Sequence, residues 1–231
     1  RKASEKLSDI LYEFTPLVEF VSIDEAYVDL TDLDVEEVCK EIRKRIEEEI
    51  HVTATIGLSY NKFLAKISSG IKKPNSFNIT LNGVDSFLEN LPIQKFRGVG
   101  KKTAEFFLSK GIISGNDLKN LELSKLIEWF GDKIGNWYYN IARGIDDRIV
   151  DPTEEPRKSL NVNETFTKNI WRDEDAVREL EKLAERLEIR IAKNKVFGST
   201  LIVRCKYPDF KVVTRSITTG NLITDRKQIL K

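Results

Sequence analysis

The sequence predicts an α+β protein of more than one domain, and three observations carry that expectation. Runs rich in β-branched and aromatic residues alternate with amphipathic helical stretches up to about residue 82. A region of short helices punctuated by glycine follows, from Val84 to Val150. The segment DPTEEPRK, residues 151–158, then carries two prolines and five charges with little to bury, so it reads as a linker before a second strand-and-helix pattern. At 231 residues the chain suffices for one large or two ordinary domains, each with its own core.

The chain opens inside an amphipathic helix, with Ala3, Leu7, Ile10, Leu11 and Phe14 at helical spacing, and it contains no methionine, so its native start is expected upstream. In VEFVSIDEAYVDLT, residues 18–31, the flanks VEFVSI and AYVDL read as strands and Asp24-Glu25 as the turn between them. Primed two-residue turns need positive φ, which Glu tolerates poorly, so a carboxylate pair kept there points to chemistry. An ordinary charged surface turn is the plain alternative. Residues 35–50 place Val35, Val38, Cys39, Ile42, Ile46 and Ile50 on one helical face. HVTATIGLS alternates apolar and polar residues as a third strand, and the order β-β-α-β predicts a mainly antiparallel sheet with a crossover helix. A helix over 60–73 is expected to turn Phe63, Leu64, Ile67 and Ile71 inward, to share Lys62, Lys66 and Lys73 on its other face, and to stop at Pro74. SFNIT returns as a short strand and closes a first domain, 1–82.

In the helical region, 83–150, Asp85 is expected to cap SFLENL, and Gly111 to end AEFFLSK in the left-handed conformation. Between them, FRGVGKKTA sets two glycines before a basic helix start. Glycines allow close backbone approach, and amides at a helix N-terminus bind phosphate oxygens, so Gly98, Gly100, Lys101, Lys102 and Thr103 read as a sequence-independent phosphate site. WFGDKIGNWYYNIARGI reads as helix core rather than a base-stacking platform. Beyond the linker, SLNVNETF is expected as a strand, then a helix from Asp173 to about Lys193, the strand STLIVRCKY, a turn at Pro208-Asp209 and the strand FKVVTRSIT. This is a small α+β domain, 159–231.

The net charge of +1 conceals a segregation: residues 1–155 hold 21 basic and 27 acidic side chains, residues 156–231 hold 17 and 10. A basic second part suits a polyanion partner, nucleic acid being the commonest. No apolar run approaches the roughly 18 residues of a membrane span, which predicts an intracellular protein with no membrane partner. Cys39 and Cys205 belong to no metal-binding cluster and are expected as structural, reduced thiols. His51 is the only histidine, which disfavours a histidine-dependent triad or multi-histidine metal site.

SIDEAYVDLT, the third strand, GLSYNKFLAKISSGIKKPN and FRGVGKKTA, in this order and spacing, strongly resemble the Y-family, or lesion-bypass, DNA polymerases, and most of all their bacterial DNA polymerase IV branch. The resemblance implies a palm (1–82), a helix-hairpin-helix thumb (83–150), a tether (151–158) and the little finger domain (159–231). It implies that Asp24 and Glu25 are catalytic carboxylates ligating two Mg²⁺ ions, and that Lys73 of KKPN contacts the incoming deoxynucleoside triphosphate. Gly98, Gly100, Lys101, Lys102, Thr103, Lys158, Thr214 and Arg215 would meet the primer-template backbone. Arg97 stands where the family often has proline, a departure expected to alter only the local turn. The first metal-binding aspartate and the fingers domain are expected upstream of Arg1, and a sliding-clamp peptide downstream of Lys231. A protein of these residues alone is therefore expected to bind DNA and extend no primer. The implied location is the bacterial cytoplasm, at the nucleoid. Two alternatives stay open: a nucleotidyl cyclase with a palm-like sheet, and a non-catalytic DNA-binding or scaffold protein.

Overall fold

A computed structural model describes residues 2–71, 73, 76–153 and 156–231. The chain divides into two units, 1–153 and 154–231. The first begins with α1 (Lys2–Tyr12), β1 (Val18–Phe20), β2 (Ala26–Val28) and α2 (Val35–Arg45), which runs into a π-helical turn at Ile46–Ile50. Asp34 caps α2 by accepting from the Glu37 amide. Ile10 and Leu11 of α1, Val18, Ile42 and Ile46 are buried together, so the predicted amphipathic faces meet in one core. Next come β3 (Gly57–Leu58), α3 (Lys62–Ser68) and β4 (Phe77–Asn78).

The predicted sheet is not formed as one layer. β1 and β2 pair antiparallel, β3 and β4 pair parallel, and the two ladders are separate. His51 takes the left-handed conformation at φ +61, and residues 52–56 form no strand, although the Ile56 carbonyl accepts from the Phe77 amide at 3.2 Å beside the β3–β4 pair. Ala54 and Ile56 pack on the α1–α2 core, but Val52 is exposed and Thr55 is as half-buried as its neighbours, so the apolar–polar alternation of HVTATI is not matched by alternating burial. α3 also ends five residues short of the predicted stop. Ser69 donates its hydroxyl to the Lys66 carbonyl, Ser68 ties the helix end to the Phe77 carbonyl of β4, and the amides of Gly70 and Ile71 bond carbonyls three residues back, so the α-helical ladder ends before Pro74 is reached. Ile71 is consequently exposed, and Lys73 lies beyond the helix in a turn.

The α-helical elements α4 (Val84–Glu89), α5 (Lys101–Ser109), α6 (Gly115–Lys119) and α7 (Leu123–Ile141) follow, α7 being broken at Gly131, which takes a non-helical φ of +75. Gly83, not Asp85, is the N-cap of α4; Asp85 lies one residue inside the first turn and pairs with Lys119. Gly111 adopts φ +77, as a left-handed helix end requires. Phe63, Leu64 and Ile79 share a continuous core with Leu88, Ile93, Phe107, Leu126 and Ile141. Each fully buried side chain of this size stabilises by about 1.5–3 kcal/mol. The aromatic residues of α7 belong to that core: Phe130 packs on Phe106 and Phe107 and Tyr138 on Phe107, at ring separations of 5.2–5.4 Å, and Phe130 and Tyr138 lie 5.1 Å from each other.

The second unit holds α8 (Asp173–Asn194), β5 (Gly198–Lys206), β6 (Val212–Ile223) and α9 (Arg226–Ile229). β5 and β6 form an antiparallel pair joined through the turn at Pro208-Asp209. SLNVNETF is not a strand. Leu160 and Val162 are half-buried in alternation, but the segment pairs with no strand among the described residues, and a period-two pattern alone supplies no ladder.

Candidate functional site

The sequence places Asp24 and Glu25 in a turn of two residues, whereas the structure gives the hairpin a loop of five, Val21 to Glu25. Val18 lies opposite Val28, Glu19 opposite Tyr27 and Phe20 opposite Ala26. The Glu25 carbonyl accepts from the amides of Val21 (2.9 Å) and Ser22 (3.2 Å), closing the loop without any positive φ. The conflict between Asp-Glu and a primed turn therefore does not arise. Ser22 donates its hydroxyl to Asp24 Oδ1 at 2.6 Å, which fixes that carboxylate at the exposed tip. Glu25 is half-buried and accepts from Lys66 of α3.

α3 is itself tied down at its start. Asn61 caps it, accepting from Leu64 N at 3.0 Å and donating to the Gly144 carbonyl at 2.8 Å. Asp146 accepts from the Phe63 amide at 2.9 Å and forms a forked ion pair with Arg148. Burial pushes the Asp146 carboxyl up, but Arg148 and the two amides outweigh it and hold it below the usual range. Lys62, expected on an outward face, is buried: its ammonium pairs with Glu19 and lies 5.3 Å from the Tyr27 ring centre. Glu19 also accepts from the Asp151 amide at 2.8 Å. Burial works against its charge, yet these two donors keep its carboxyl below the ordinary value.

In the FRGVGKKTA turn, Gly98 adopts φ +88 and Gly100 is the N-cap of α5. Tyr138 donates its hydroxyl to the Gly98 carbonyl at 3.0 Å, and Trp137 its indole N–H to that of Arg97 at 3.3 Å. No side chain caps α5, and its first turn holds no acid, although Lys101 and Lys102 stand where the helix dipole disfavours cations. A Cβ at Gly100 would meet nothing within 4 Å, so the fold leaves this turn open.

Lys73 lies in an exposed turn and contacts neither carboxylate; Lys72, Pro74 and Asn75 of KKPN fall outside the described residues. Lys158 lies in an exposed bend. The pleat of β6 sends Thr214 and Arg215 to opposite faces: Thr214 shares its face with Arg204 and Lys206, Arg215 with Val203 and Ile217. Among the described residues no three His, Cys, Asp or Glu side chains gather as a metal site. Nothing in the order of residues marks Glu19, Tyr27, Arg97 or Asp146 as site neighbours, because each contact joins segments distant in the chain.

Residues 1–70 match the impB/mucB/samB family, and residues 157–231 match the C-terminal domain of that family, together more than half of the chain. The chain belongs to the impB/mucB/samB family, the Y-family polymerases. Residues 90–146 match the DNA polymerase-iota thumb domain, the region that holds the Gly98–Gly100 turn and α5. Curated relatives include DNA polymerase IV of Clostridioides difficile (strain 630), 42% identical over 99% of this chain and 64% of that protein. DNA polymerase IV of Akkermansia muciniphila is 39% identical over 100% of this chain and 65% of its own length. DNA polymerase IV 2 of Agrobacterium fabrum (strain C58) is 40% identical over 100% and 66%. The chain thus spans 64–66% of the length of these family members. No helix among the described residues is long and apolar enough to cross a membrane.

Proposed function

We propose that this protein is a DNA-directed DNA polymerase of the translesion type, in which residues 1–82 act as palm, 83–150 as thumb, 151–158 as tether and 159–231 as little finger. The primer 3′-hydroxyl, losing its proton, attacks the α-phosphorus of a deoxynucleoside triphosphate, and the bond to pyrophosphate breaks. The observation that carries this reading is the adjacent carboxylate pair, Asp24 exposed at a hairpin tip and Glu25 beside it, in a chain of this family.

Asp24 and Glu25 offer hard oxygen donors that suit Mg²⁺, which uses few carboxylates and completes its shell with phosphate oxygens and water. Two bound Mg²⁺ ions would supply charge stabilisation to the attacking and leaving oxygens. The chain's own residues set the pair in place: Ser22 orients Asp24, and the Lys66 ammonium offsets part of the repulsion between neighbouring carboxylates. The uncapped start of α5, with Lys101, Lys102 and Thr103, supports a primer-template phosphate at the thumb turn. Lys73 would meet the triphosphate, Lys158, Thr214 and Arg215 the DNA backbone, and a C-terminal segment a sliding clamp, in the bacterial cytoplasm.

Primer extension with Mg²⁺ by the whole protein tests the assignment. Asp24→Ala and Glu25→Ala are each expected to reduce incorporation by several orders of magnitude, charge stabilisation being the largest catalytic term, while DNA binding survives. Variants within about tenfold of wild type remove both residues from the mechanism. Turnover of free nucleotide without primer would instead mark a cyclase, and DNA binding without any turnover a scaffold.

A further inference from the structure

Arg97 and Tyr27 stand 70 positions apart in the chain, and the structure brings them together: the Arg97 guanidinium donates to the Tyr27 hydroxyl. Tyr27 lies in β2, two residues from Glu25, and is buried. Two cations lie against its ring, Lys62 at 5.3 Å and Arg97 at 5.8 Å from the centre. The backbone of Arg97 is held from the other direction. Its carbonyl accepts from Trp137, and the next carbonyl, that of Gly98, accepts from Tyr138, both on α7. One residue therefore has its main chain pinned to the part of α7 that follows the break at Gly131 and its side chain fixed to the carboxylate hairpin.

We propose that Arg97 and Tyr27 are a positioning pair, which sets Asp24 and Glu25 at a fixed place relative to the Gly98–Gly100 turn. The inference rests on the polymerase reading above. In that reading the turn grips the DNA backbone and the carboxylates serve the reacting end of the primer, so the two must be registered on each other. The Arg97–Tyr27 hydrogen bond is a direct side-chain link between hairpin and turn. A displacement of about 1 Å at a reacting centre costs on the order of a hundredfold in rate, so a single link of this kind is enough to matter. Arginine suits the task because one nitrogen of its rigid, planar fork bonds the hydroxyl while its central carbon stays 5.8 Å from the ring centre, a geometry the flexible lysine ammonium does not fix. Arg97 thus does more than shape its local turn.

Single-turnover nucleotide insertion and DNA affinity in the whole protein test the pair, using Tyr27→Phe, Arg97→Leu, Arg97→Lys and the double variant Tyr27→Phe/Arg97→Leu. Tyr27→Phe keeps the ring and deletes only the acceptor. Tyr27→Phe and Arg97→Leu are each expected to lower the insertion rate about tenfold or more while the DNA dissociation constant holds within about twofold. The double variant should be no slower than the slower single one, since both break one contact, and Arg97→Lys should recover part of the rate. Wild-type insertion by Tyr27→Phe, multiplicative losses in the double variant, or a loss confined to DNA affinity would overturn the pairing; the last would make Arg97 a phosphate contact. Should Arg97→Leu fail to fold, Tyr27→Phe decides alone. Absence of primer extension by the wild-type protein overturns the polymerase reading and this inference with it, whereas active wild type with an unaffected Tyr27→Phe overturns this inference only.

Discussion

Lys62 begins α3 with its ammonium buried against Glu19 and Tyr27, although helical spacing alone assigns it to the polar face with Lys66. Lys62→Met leaves Glu19 with only the Asp151 amide as donor and is expected to cost about 1–3 kcal/mol in chemical denaturation. The same pair sets a pH dependence. The folded Glu19 carboxyl titrates below its ordinary 4.5, so the stability it contributes is complete above about that value and is lost as pH falls through the lower, folded one. Denaturation midpoints measured downward from neutral pH should fall on the acid side of 4.5, and Glu19→Gln should flatten that fall. The two thiols separate as well. Burial pushes Cys39 up to about 11, while Cys205 is exposed on β5, so it is not the structural thiol its sequence context implied. A maleimide at neutral pH is expected to label Cys205 in the folded protein and Cys39 only after unfolding, as mass spectrometry of the labelled peptides would show.

At the scale of elements, the position of α3 decides where Lys62 and Lys66 meet the hairpin, and Gly57 of β3 decides the position of α3. A Cβ at Gly57 would sit 2.0 Å from the Ala65 carbonyl oxygen and 2.3 Å from the Ser69 amide, both backbone atoms. Gly57→Ala is therefore expected to destabilise by at least about 1–3 kcal/mol and, in the proposed polymerase reading, to slow insertion by shifting the lysines. Gly100 is its counterpart. With φ −80 and open space where a methyl would project, Gly100→Ala should cost no more than about 1 kcal/mol as a lost N-cap preference, yet weaken DNA binding if backbone approach is what the glycine serves. Unchanged DNA affinity in Gly100→Ala would remove the turn from the interface. The helical elements were legible because burial imposes a 3.6-residue period, as in Cys39 and Ile42 of α2 or Tyr138 and Ile141 of α7. SLNVNETF misleads for the opposite reason, because alternation reports one-sided burial and leaves the strand partner unspecified.

For the whole molecule, charge is the dominant asymmetry: an acidic excess in residues 1–155 and a basic excess in 156–231. The DNA contact through phosphates proposed above predicts that DNA affinity falls steeply with salt and varies little with sequence. Removing one phosphate contact lowers the salt slope by about one, so Arg215→Ala should flatten it by that amount, and Arg204→Ala, on the opposite face of the strand pair, should not. The reverse result would move the DNA-facing surface to Arg204, Lys206 and Thr214.

Fold class, most helical faces, the presence of a carboxylate hairpin and the glycine turn are readable in the chain itself, since each depends on residues near one another in order: periodicity, turn chemistry and short motifs are local properties. The links Lys62–Glu19, Arg97–Tyr27 and Asp146 with the Phe63 amide span 43, 70 and 83 positions. A buried lysine and a surface lysine carry the same letter. Which one Lys62 is depends on whether the folded chain delivers a carboxylate to it, because a buried charge persists only where a partner compensates its lost hydration.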